Sequence, residues 1–168
     1  MGSLSFRRGQ PLRKFSAFVN KPAFFKLWIL PTWCLLGVSK LLIHLVSFRR
    51  LERFMGTGCG VSPALALLTS RQRMRATAIG QLVRITACYT PWTSNCFPQA
   101  LTAALLLRLY RVPYLLCFGL ARGRRSDDYL AHAWVSSGPV VVTGGFSFNL
   151  YTVVACYLAP NLSVDASP

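Results

Sequence analysis

The sequence predicts an α+β fold in which a helical layer covers a small antiparallel sheet. Three observations predict it. Residues 96–110 form a Leu- and Ala-rich run that is apolar nearly all round, the mark of a central, buried helix. In residues 129–135, Leu130, His132 and Trp134 alternate with Tyr129, Ala131, Ala133 and Val135, the period of a strand. Residues 136–139, Ser-Ser-Gly-Pro, then read as a tight turn into another strand at 140–143.

The remaining elements follow in chain order. Residues 1–22 read as a basic, flexible tail free of acids. Residues 26–54 read as helical, broken or kinked around Pro31. Within them, 27–46 is the nearest approach to a membrane span, but Pro31, Lys40 and His44 interrupt it. A packed or interfacial helix is the expectation there. The Gly-rich stretch 56–60 reads as a flexible break, and 63–70 as a short helix. A helix over 71–89 would place Met74, Ala78, Leu82 and Ile85 on its apolar face. A strand over 114–120 precedes the alternating segment, and a last apolar segment covers 148–158.

The composition supports one domain with a substantial core, because 53% of the 168 residues are hydrophobic and only 14% charged. Some apolar surface is expected as well, as at a partner or membrane contact. The net charge is +15, from 19 Lys+Arg against four acids, Glu52, Asp127, Asp128 and Asp165. Residues 1–55 carry ten of those cations and a single acid. An acidic peptide, an acidic partner or anionic lipid answers that charge. Nucleic acid answers it least, since no helix-turn-helix, zinc module or basic lattice with exposed aromatics is visible. The six cysteines, Cys34, Cys59, Cys88, Cys96, Cys117 and Cys156, are irregularly spaced with no CxxC pair, which argues against a metal site. Cysteines in apolar runs, such as Cys34 and Cys117, read as buried thiols in a reducing cytoplasm.

Cys96 and His132 carry the chemistry. Asn95 can cap the helix and Pro98 fits its first turn, so Cys96 sits at the positive end of a helix dipole. Unpaired N–H groups there stabilise a thiolate and can receive an oxyanion, with the Cys96 amide as a donor. A buried structural cysteine is the plainer reading of that segment taken alone. His132 changes the weighing: there are two histidines, and His44, in an apolar run, fits a structural role better. Thiol, apolar helix and strand histidine together make a nucleophile and its base.

The motifs CFPQA at 96–100 and AHAWV at 131–135, with Leu101, Phe118 and Gly119 between them, resemble the lasso-peptide B protein family over roughly residues 25–150. The resemblance implies a papain/transglutaminase-like cysteine protease core over 71–168, preceded by a helical extension over 23–70. It implies Cys96 as nucleophile and His132 as base; Trp92, Trp134 and Gln99 are candidates to wall the substrate site, and core packing explains the two tryptophans equally well. It further implies removal of the leader from a ribosomally made precursor peptide, and delivery of the core peptide to an ATP-dependent lasso cyclase. ATP belongs to that cyclase; this chain shows no metal or cofactor motif of its own. Residues 1–70 show no alternating strand pattern, so the leader-recognition module is expected on a separate protein. The expected place of work is the cytoplasm, at most peripheral to the inner membrane.

One departure concerns the third catalytic member. The family usually carries an acid on the strand after the histidine, where this chain has Thr143, Gly144 and Gly145. A two-residue turn at Ser137 and Gly138 would pair His132 with Thr143, and a three-residue loop would pair it with Gly144. Thr143, Asn149, Asn95, Asp128 or a backbone carbonyl remain as groups to orient the imidazole. Two other readings stay open: a transglutaminase or amidase on the same fold, and a non-catalytic basic scaffold at a membrane surface.

Overall fold

A computed structural model describes residues 22–61, 66–123, 128–145 and 150–159. The basic tail, Asp127 and Asn149 therefore lie outside the described residues, Pro22 excepted. The elements are α1 (Ala23–Leu45), α2 (Phe48–Met55), β1 (Thr57–Gly60), α3 (Ser70–Ala87), α4 (Cys96–Leu109), β2 (Leu115–Arg122), β3 (Tyr129–Ser137), β4 (Val140–Thr143) and β5 (Thr152–Leu158). The five strands form one antiparallel sheet in the order β1-β5-β2-β3-β4.

The α+β expectation holds, with α4 as its centre. Pro98, Leu101, Leu106 and Leu107 of α4 are buried together with the helix's small residues, so it touches protein on nearly every side. Two layers meet along it. Leu116, Ala133, Val135, Val142 and Tyr157 of the sheet join its apolar side chains in the main core. On its other flank, α1 is tied down by a buried hydrogen bond between Ser39 Oγ and Thr102 Oγ1 (3.1 Å). The guanidinium of Arg75 lies over the rings of Phe24 (4.7 Å) and Tyr110 (4.4 Å), joining α3, α1 and the end of α4 by cation–π attraction.

Several local expectations are corrected. Pro31 does not break its helix: α1 runs through it, and the interruption comes at Val46 and Ser47. The stretch 56–60 is no simple break, because Thr57–Gly60 pairs with β5 as an edge strand. Residues 66–69 are not helical; α3 starts at Ser70 behind a capping box formed by Thr69 and Gln72. Its buried residues are Ala76, Ile79, Gly80, Leu82, Val83 and Thr86, whereas Met74 is exposed. The face is rotated because α3 is packed by helices on one side and β4 on another, so apolar spacing alone does not define it. Cys34 is exposed rather than buried, since it lies on the side of α1 away from the core.

Candidate active site

The sheet has two unlike faces. On β3, Ala133 and Val135 point to the helices, while Trp134 joins Leu115, Cys117, Cys156 and Leu158 in a second apolar cluster on the outer face. His132 has the parity of Trp134 and stacks on it, with ring centroids 6.0 Å apart and planes at 24°. Tyr151 covers the imidazole from its other neighbourhood, at 4.8 Å and 23°. Gly119, the β2 partner of His132, makes room for this: a Cβ there would run into Trp134 and Tyr151. The half-buried imidazole is thus held among aromatic rings, and its edge is directed by hydrogen bonding.

That bond goes to the backbone. His132 Nε2 lies 2.9 Å from the Gly144 carbonyl oxygen, which can only accept, so Nε2 carries a proton and, in the neutral ring, Nδ1 is the nitrogen with the free lone pair. The register explains how Gly144 arrives there. The turn falls at Gly138 and Pro139, Ser137 pairs with Val140, and an irregularity between Val135 and Ser136 then sets Thr143 opposite Val135. The pairing of His132 with Thr143 expected for a turn at Ser137 and Gly138 therefore does not form. Gly144 follows with φ +83°, closely against Trp134, and a Cβ at that position would collide with the Trp134 side chain.

Cys96 is the first residue of α4 and half-buried, behind Asn95 at the cap position. Asn95 makes no side-chain capping bond; instead the Gln99 side chain closes the turn by donating to the Ser94 carbonyl (2.7 Å). Phe97 packs edge-on against Phe118 (5.1 Å) on the inner face, one residue before Gly119. Cys96 thus heads the inner helix next to Phe97, which packs on Phe118, whereas His132 lies on the outer side of β3, opposite Gly119 of β2. Among the described residues no hydrogen bond joins Cys96 Sγ to the imidazole.

The other sequence candidates scatter. Thr143 is buried and its hydroxyl has no hydrogen-bond partner among the described residues. Asp128 is exposed at the β2–β3 hairpin, where its carbonyl accepts from the Gly123 N–H (2.7 Å). Trp92 packs on Trp33 of α1 (4.8 Å) and over Gly37, whereas Trp134 is fully buried beside His132. His44 is exposed in the last turn of α1. Sequence reading missed Tyr151 and the particular carbonyl of Gly144; only the register could have disclosed them.

The outer face also holds three thiols. Cys117 and Cys156 are cross-strand partners with sulfurs 2.8 Å apart, and Cys59 donates to the Cys156 carbonyl (3.4 Å). The sulfur–sulfur hydrogen bond and burial push the Cys117 thiol far up, and burial raises that of Cys59. Among the described residues no cluster of His, Cys, Asp or Glu could hold a metal ion.

The family model of the transglutaminase-like superfamily matches residues 42–155, which spans α2, α3, α4 and nearly the whole sheet. No curated protein and no solved structure matches the chain. With a thiol at the head of the central helix and a histidine on the adjoining antiparallel sheet, the chain belongs to the transglutaminase-like superfamily, whose members are typically cysteine peptidases or acyltransferases.

Proposed function

We propose that this protein is a cysteine peptidase that removes the leader of a lasso-peptide precursor, with Cys96 as nucleophile and His132 as base. The bond from His132 Nε2 to the Gly144 carbonyl carries the reading. It supplies an orienting acceptor where the family's usual carboxylate is missing, and it leaves Nδ1 as the basic nitrogen. The lasso substrate rests on the paired CFPQA and AHAWV motifs.

In the reaction, His132 Nδ1 takes the Cys96 proton and the thiolate attacks the carbonyl carbon at the leader–core junction. N–H groups at the start of α4 receive the oxyanion. As the C–N bond breaks, the imidazolium returns its proton to the departing amine, leaving the leader as a thioester on Cys96. Water, deprotonated by His132, then hydrolyses that thioester and restores the thiol. Thiol and imidazole share no hydrogen bond in the substrate-free protein, and catalytic bonds commonly tighten in the substrate complex. The gap at the orienting carboxylate does not block this chemistry, because the third group sets tautomer and geometry rather than attacking.

The test is leader cleavage of the cognate precursor, with recognition protein and cyclase present, followed by mass spectrometry. Wild-type protein should release the leader, and Cys96→Ala should lower the rate by about 10³-fold or more. Undiminished cleavage by Cys96→Ala would overturn the mechanism. Transfer of the leader to an added amine in preference to water would make the enzyme a transferase instead.

A further inference from the structure

We infer that the outer stripe of α1 docks on the surface of an anionic lipid bilayer. The inference is independent of the peptidase reading. Helix α1 is apolar on two opposite sides. One side carries the buried Phe25, Thr32, Leu36 and Ser39, and Ser39 is bonded to α4. The opposite side carries Leu27, Leu30, Cys34, Val38, Leu41 and Leu45, spaced by three and four residues along one line. Its five aliphatic members are 50–73% exposed. At the helical rise the stripe is about 27 Å long. Scattered exposed leucines need no explanation, but a continuous line of this length does.

Charge selects the occupant. Lys26 lies beside the stripe, and Arg49, Arg50 and Arg53 are exposed on α2, which follows directly. The tail preceding α1 adds Arg7, Arg8, Arg13, Lys14 and Lys21, while Glu52 is the single acid in residues 1–55. An apolar stripe flanked by cations is the pattern of a helix lying in the headgroup boundary of an anionic leaflet. A second copy of the chain would bring two net charges of +15 together, which disfavours a face-to-face pair. By length and composition α1 could cross a membrane, but its other side is part of the core, so it lies on the surface instead.

The experiment is co-sedimentation of the full chain with phosphatidylcholine–phosphatidylglycerol vesicles and with pure phosphatidylcholine vesicles. Binding to the mixed vesicles is expected, with at least tenfold weaker binding to the neutral ones. The double variant Leu30→Asn/Leu41→Asn, checked for fold by circular dichroism, should lose at least tenfold in affinity. Should that variant unfold, the wild-type chain decides: mixed vesicles should protect Cys34 from a maleimide that does not enter bilayers. No binding, binding unchanged in a folded double variant, unprotected Cys34, or a dimer that the double variant dissociates would each overturn the proposal.

Discussion

The two faces of the sheet differ in kind. The inner face is built from aliphatic and small side chains, Leu116, Ala133, Val135 and Val142, pressed against α4. The outer face, one residue out of step, carries Cys117, Trp134, His132 and Cys156. A strand that buries one face for the core leaves alternate positions for other work. The inner residues are interchangeable apolar volume. The outer ones are specified atom by atom, through the Nε2–carbonyl bond and the ring stacking on His132.

The largest effect separates the faces. His132→Ala should lower cleavage by about 10³-fold or more while costing only about 1 kcal/mol of stability, one hydrogen bond and a stacking contact. Leu116→Ala should do the reverse, costing about 2–5 kcal/mol with the folded fraction still active. Urea titration beside cleavage kinetics reads both. If Leu116→Ala abolished activity at unchanged stability, the division would be wrong.

Gly144→Ala tests where the faces are coupled. The new Cβ would meet Trp134 in a left-handed backbone, so about 2–3 kcal/mol of stability should be lost together with most of the activity, because the His132 acceptor moves with it. Retained activity in the folded fraction would show that the carbonyl does not orient the ring. A smaller effect is expected for Tyr151→Leu: about 1 kcal/mol or less of stability, and a drop in cleavage that leaves KM unchanged.

These residues also mark what the sequence could disclose. The central helix was legible because an apolar run of that length has no other place than a core. The parity of His132 with Trp134 was legible in the period-two pattern of β3. Gly144 was not, since the irregularity between Val135 and Ser136 shifts the register in a way that no local residue announces. Strand β1 was hidden for a related reason: its glycines read as a turn, and its extended form comes from pairing with β5. The exposure of Met74 and Cys34 depends on which sides of α3 and α1 meet neighbours, a tertiary property that spacing leaves undecided.

The most direct test of the central claim is the rate of iodoacetamide alkylation at each cysteine near neutral pH, read by peptide mass spectrometry, in wild-type protein and His132→Ala. Cys34 and Cys88 are exposed references, and the buried Cys117 and Cys156 should label last. The account predicts that Cys96 reacts at least about tenfold faster than the exposed pair in wild type and falls to their rate in His132→Ala. A Cys96 rate equal to theirs in both proteins would contradict it.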